Sequence, residues 1–147
     1  MNHKGNSNSV SDTYQLAKRL TQNISKGNII ALIGDLGTGK TTFTQGVAEA
    51  LGIKENVWSP RFKLVSEYKG EDSWLYHIDA YRLKGSNDFL NIGGEEYLNT
   101  EKGITIIEWA DIISDLLDDS VIHIHFSRLK NNSDSRQIKI SGTQFNV

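Results

Sequence analysis

The stretch Gly34-Asp35-Leu36-Gly37-Thr38-Gly39-Lys40-Thr41 holds the residues best suited to chemistry in this chain. It matches G-x-x-x-x-G-K-S/T, the P-loop pattern, at every fixed position. Gly37 and Gly39, with Thr38 between them, lack the bulk that would keep a backbone away from a ligand. The loop can therefore turn with positive φ and bring its N–H groups against phosphate oxygens. A helix starting at the end of the loop adds free amides and the positive end of its dipole. Lys40 is placed to reach the β and γ phosphates as a point charge, and Thr41 to set its hydroxyl on Mg²⁺. Thr42 adds a second hydroxyl near the α or β phosphate. The chemistry implied is the binding of a nucleoside triphosphate.

The flanks have the patterns needed to hold such a loop. Ile29 to Ile33 is an unbroken apolar run, as expected of a central parallel strand covered on both faces. Phe43, Val47, Ala50 and Leu51 recur at helical spacing, and Gly52 is placed to close that helix. Upstream, a helix capped by Ser11 or Asp12 stacks Leu16, Leu20 and Ile24, with Ala17 alongside. Thr13 at its start is a candidate for touching the base or sugar of the nucleotide.

Beyond the P-loop unit, Ser59-Pro60 turns the chain into an extended stretch that continues through Tyr68. Lys69 to Ser73 has turn chemistry and Trp74 to Ile78 resumes the strand pattern, which predicts an antiparallel hairpin. The hairpin ends on Asp79-Ala80-Tyr81-Arg82, a carboxylate and a guanidinium at the mouth of the sheet. Short helical turns are expected at Ser86 to Leu90 and Glu95 to Leu98, separated by Gly93-Gly94. Ile104-Thr105-Ile106-Ile107-Glu108 reads as a buried strand with an acid at its carboxyl end. Open α/β sheets collect ligands there, and a triphosphate site needs a carboxylate for Mg²⁺ or its water shell.

Ile112, Ile113, Leu116 and Leu117 suit an amphipathic helix after Trp109. Val121, Ile122, Ile124 and Phe126 suit a strand, Lys130 to Ser135 a turn, and Ile138 with Ile140 a last strand. His123 and His125 share one face of theirs, but no third ligand is evident, so a solvent-facing strand edge is expected in place of a metal pair. The fold class expected is α/β, a P-loop NTPase-like sheet with flanking helices and an antiparallel hairpin insertion. Residues 1–10, polar and rich in Asn and Ser, are expected to be a flexible leader, and residues 11–147 a single domain.

Composition narrows the partners. Cysteine is absent, which removes disulfides, thiolate metal sites and cysteine nucleophiles and agrees with a reducing compartment. No apolar run approaches the roughly 20 residues that span a bilayer, and the first residues have no signal-peptide core, so a cytoplasmic location is expected. Acids number 18 against 16 lysines and arginines, a net charge of −2. No global basic field exists to drive autonomous nucleic-acid binding, and contact with RNA is expected to be indirect or shared with a partner.

Four stretches together resemble the bacterial TsaE (formerly YjeE) ATPases of tRNA threonylcarbamoyladenosine biosynthesis. They are Gly34 to Thr42, then Ser59-Pro60-Arg61-Phe62 with Leu64-Val65, then His77-Ile78-Asp79-Ala80-Tyr81-Arg82-Leu83, and finally Ile107-Glu108-Trp109. Their order and spacing fit across nearly the whole chain. The resemblance implies an ATPase that supports a complex with two companion proteins of the TsaD and TsaB type, which attaches threonylcarbamoyl to the adenosine beside the anticodon. It implies that Lys40, Thr41 and Thr42 bind ATP and Mg²⁺, that Glu108 is a magnesium residue, and that Asp79 is required for activity. It also implies a role in activity for Trp109 and a place near the nucleotide for Thr13.

One loop departs from the family. Arg61 and Lys63 stand where threonines are usual. If that loop senses nucleotide, a long cation in place of a small hydroxyl either weakens switching or supplies a charge to pin phosphate. Other readings of the same P-loop are a small-molecule kinase, which would need an acceptor pocket and an arginine-bearing lid, and a nucleotide-dependent binding switch. The base-reading Asn-Lys-x-Asp pattern is absent, so guanine selectivity has no support.

Overall fold

Strands dominated by isoleucine need cover on both faces, and the chain supplies it with a sheet sandwiched between two helical layers. The computed structural model describes residues 2–35, 39–58, 64–129 and 132–142. In chain order these form β1 (Asn2–Ser7), α1 (Val10–Gln22), β2 (Ile29–Gly34), α2 (Lys40–Ala50), β3 (Val65–Lys69) and β4 (Trp74–Asp79). There follow α3 (Ser86–Asn91), α4 (Glu95–Leu98), β5 (Gly103–Glu108), a 3₁₀ helix (Ala110–Leu116), β6 (Ile122–Leu129) and β7 (Asn132–Ser141). Leu36, Gly37 and Thr38, the segment from Ser59 to Lys63, and Lys130 with Asn131 lie outside the described residues.

The sheet order is β1-β7-β6-β2-β5-β4-β3. β2 pairs in parallel with β5 on one side and β6 on the other, and β4 joins β5 in parallel. Antiparallel pairs close both ends, β3 on β4 at one and β7 with β1 beyond β6 at the other. The expected hairpin is present, but it is not a separate outgrowth: its second strand is a member of the parallel core. Every residue of β5 is buried, as a strand covered on both faces requires.

One face packs under α1 and α2, where Leu16, Leu20, Phe43 and Val47 meet Ile30, Leu32, Ile106 and Ile124. Burying each such side chain is worth about 1.5–3 kcal/mol. Phe43 meets Phe126 edge to face at 5.9 Å. The two helices approach closely at Gly46, where a β-carbon would come within 2.7 Å of the Ala17 β-carbon and 2.8 Å of the Tyr14 carbonyl oxygen. The other face packs Ala31, Ile78 and Ile107 against Phe89 of α3 and Ile113 of the 3₁₀ helix. Helix α2 ends as expected at Gly52, whose N–H bonds the Glu49 carbonyl while the Ile53 N–H bonds that of Ala48. Ala50, expected on its buried face, is exposed.

Four local expectations are corrected. The polar segment read as a flexible leader forms β1, an edge strand paired residue by residue with β7. Helix α1 starts earlier than Ser11, because Ser9 is its cap and accepts from the Asp12 N–H. The segment after Trp109 winds as a 3₁₀ helix with a break at Ile113. The turn expected over Lys130 to Ser135 is shorter, since Asn132 already pairs with Leu129 in the β6–β7 ladder.

Candidate functional site

β2, β4 and β5 end side by side. Leu32 and Asp79 both stand opposite Glu108, so the two carboxylates are neighbours across adjacent strands. Side chains alternate along a strand, which puts His77, Asp79, Ile106 and Glu108 on the face that α1 and α2 cover. The P-loop leaves β2 at Gly34 and re-enters regular structure at Gly39, the cap residue of α2. Gly39 has φ 105, a left-handed conformation that a side chain would strain.

Thr13 sits against that turn: a β-carbon on Gly39 would lie 3.8 Å from its methyl and 3.9 Å from its hydroxyl oxygen. The Thr13 hydroxyl is 2.7 Å from that of Ser7. Ser7 gives its one proton to the Ser9 carbonyl at 2.9 Å, so Thr13 is the donor in the pair. Edge strand β1 thus fixes the residue expected near the nucleotide. Local pattern carries no sign of this, because Ser7 falls in a segment without apolar alternation.

Lys40 opens α2 with its side chain turned back to the loop. Its Nζ donates to the Gly34 carbonyl at 2.6 Å and lies 4.3 Å from the centre of the Trp109 ring. Trp109 follows Glu108 directly and has φ 59, the left-handed region, alone among the described non-glycine residues. Its ring also meets that of Tyr81, at 5.0 Å between centres. Thr41 and Thr42 are half-buried on the first turn of α2.

Glu108 is 5% exposed and its Oε2 lies 2.7 Å from Nε2 of His77, a fully buried histidine. Asp79 is half-buried, and its Oδ1 accepts from the Tyr81 N–H at 3.0 Å. Burial pushes the Asp79 carboxyl above the ordinary aspartate range, with the Glu108 charge adding to the rise. The Tyr81 N–H, His77 and Lys40 oppose it. A repelling pair of this kind suits a cation. Among the described residues no cluster of three or more acids, histidines or cysteines could cage a metal by itself. Mg²⁺ fits such a site, because it takes one or two carboxylates and completes its shell with phosphate and water oxygens.

The structure therefore gathers Thr13, Gly39, Lys40, Asp79, Glu108 and Trp109 at one end of the sheet. Gly37, Thr38, Arg61 and Lys63 fall outside the described residues, and Arg82 is exposed. His77 is a site residue that the motif reading missed: it shares a strand face with Asp79, and only the β4–β5 pairing brings it to Glu108. His123 and His125 lie on β6, which is flanked by β2 and β7 and so is no edge of the sheet, but His125 faces solvent as expected and His123 is half-buried. His125 is exposed, and its pKa is held below the ordinary value by partial burial and then by His123 and Lys139. Among the described residues no helix is long and apolar enough to cross a membrane.

Residues 7–138 match the protein family described as Threonylcarbamoyl adenosine biosynthesis protein TsaE. The tRNA threonylcarbamoyladenosine biosynthesis protein TsaE of Rickettsia conorii is 38% identical over 126 residues, covering 85% of this chain and 71% of that protein. The Bacillus subtilis protein of the same name is 37% identical over 127 residues, covering 86% of this chain and 77% of its own length. Among solved structures, the crystal structure of Bacillus subtilis YdiB superposes with a TM-score of 0.81 at 32% identity, over 97% of this chain and 86% of that one.

Proposed function

Since the chain belongs to the TsaE family of threonylcarbamoyl adenosine biosynthesis proteins, we propose that it binds and hydrolyses ATP in support of threonylcarbamoyl modification of tRNA. The observation that carries the reading is the convergence of Lys40, Asp79, Glu108 and Trp109 at the carboxyl ends of adjacent strands, beside the amino end of α2. Phosphoryl transfer needs positioning and charge neutralisation more than covalent help, and these residues supply both.

In this reading the triphosphate rests on the amides that open α2, with Gly37, Thr38 and Gly39 turning the loop around it. Lys40 exchanges the Gly34 carbonyl for anionic phosphate oxygens, which adds direct charge attraction to the hydrogen bond. Trp109 covers the ammonium and holds it away from bulk water, where the attraction would be screened. Thr13 borders the nucleotide at Gly39. Thr41 and Glu108 would hold Mg²⁺, with Thr42 beside them, and the ion would neutralise charge on the phosphate oxygens. Asp79 orients the attacking water or the outer shell of the metal; its raised pKa makes it a better proton acceptor than an ordinary aspartate.

Turnover is slow in the isolated chain and rises with companion proteins of the TsaD and TsaB type. The acidic balance of the chain supports indirect contact with tRNA. Calorimetry in magnesium buffer should give heat of association with ATP and with ADP. Purified chain, both companions, tRNA and labelled threonine should then give ATP-dependent incorporation that Lys40→Ala abolishes. Silence toward both nucleotides, or undiminished incorporation with that variant, would refute the reading.

A further inference from the structure

Among the described buried side-chain atoms, Nδ1 of His77 is one that makes no hydrogen bond. The ring is 0% exposed, so water does not compensate it. Its other nitrogen, Nε2, lies 2.7 Å from Glu108 Oε2. A buried imidazole is kept unpaired on one side only where the paired side matters, because an unsatisfied buried polar atom costs about 1–3 kcal/mol. A hydrophobic side chain would fill the position, beside Leu75 and Ile106 on the same face of the sheet, at no such cost.

We infer that His77 is a positioning residue: its Nε2–H holds the Glu108 carboxylate in the orientation that receives magnesium. A carboxylate accepts, so Nε2 carries the proton. His77 stands opposite Ile106 in the ladder, two residues below Glu108, so the bond runs diagonally along one face toward the site. It stops the carboxylate from turning about its last torsion. It also engages one carboxylate oxygen before any ion arrives, as partners behind a metal ligand do. The inference rests on the proposed magnesium–ATP reading of Glu108.

The test compares ATP affinity by calorimetry with magnesium and with chelator, for the wild type, His77→Leu and His77→Gln. His77→Leu should lose roughly ten- to a hundredfold of the magnesium-dependent gain in affinity and keep the metal-free affinity. His77→Gln should recover most of that gain, because its amide can place an N–H donor where Nε2 was. Nitrogen-15 NMR of the wild-type imidazole should show a proton on Nε2, a readout that stands even if the leucine variant does not fold. An Nε2 without a proton, or a leucine variant with the full magnesium gain, overturns the positioning role. If wild-type ATP affinity is itself indifferent to magnesium, the underlying reading of Glu108 fails and this inference falls with it.

Discussion

Lys40 is hydrogen-bonded at 2.6 Å to the carbonyl oxygen of Gly34, six residues earlier at the end of β2. The P-loop lysine is thus folded onto its own loop, with its ammonium capped by the Trp109 ring. Among the described residues the acceptor that incoming phosphate displaces is a neutral carbonyl, so the exchange favours the ligand. Hydrogen bonds to charged groups contribute about 1.5–3 kcal/mol each. Lys40→Ala should therefore weaken ATP binding by roughly ten- to a hundredfold. Because Lys40 is 5% exposed, loss of its bond to Gly34 should also lower stability, by about 0.5–1.5 kcal/mol in thermal unfolding. Unaltered ATP affinity in calorimetry would show that the lysine does not leave Gly34.

Asp79 should trade stability against function. Its pKa is raised by burial and by Glu108, above the ordinary value of 3.8. The folded state therefore binds more protons than the unfolded state between 3.8 and the raised value, and stability falls as pH climbs through that window. Above it the penalty is fully present. Asp79→Asn removes the charge, so the variant should melt higher than wild type at neutral pH. The difference should shrink toward zero as pH approaches 3.8, while ATP turnover is lost. Melting curves across pH check the sign, and a variant less stable at neutral pH would refute it.

The contact at Gly46 has no slack. A β-carbon there would meet the Ala17 side chain at 2.7 Å and the Tyr14 backbone oxygen at 2.8 Å, and the latter cannot move without displacing α1. Gly46→Ala should cost about 1–3 kcal/mol in denaturant unfolding. Because α1 also carries Thr13 against Gly39, the same variant should weaken nucleotide binding although residue 46 is remote from the phosphates. Wild-type stability would show that α1 rides freely on α2.

Local pattern was enough to find the centre of this molecule and not its margins. The P-loop, its strand and its helix are contiguous, and Glu108 ends an apolar run whose burial the composition of that run dictates. β1 could not be found that way: Asn2 to Ser7 has no apolar alternation, and its pairing is backbone hydrogen bonding to β7, more than a hundred residues distant in sequence. The interior place of β6, which carries His123 and His125, depends on its parallel pairing with β2, far away in sequence, together with the local β6–β7 hairpin. Ser9 lost to Ser11 and Asp12 as the expected cap because serine and aspartate cap helices about equally well. The helix after Trp109 had a good α pattern, but the left-handed turn at Trp109 and the non-helical Ile113 tighten it.

Trp109 holds a backbone conformation, φ 59 and ψ 38, that costs a residue with a β-carbon about 1–2 kcal/mol. Such strain persists where surrounding contacts over-determine it, here the rings and cations of a functional site. The strain separates from the ring when two truncations are compared. Trp109→Ala and Trp109→Gly both remove the face that meets Lys40 and Tyr81, so that loss cancels between them. Glycine is ordinarily the less stable of the two residues. At this position the order should reverse, with Trp109→Gly more stable than Trp109→Ala by about 1 kcal/mol in urea unfolding. If alanine proves equal or better, the backbone at 109 relaxes once the indole is gone, and it is the ring's contacts with Lys40 and Tyr81 that force the left-handed turn.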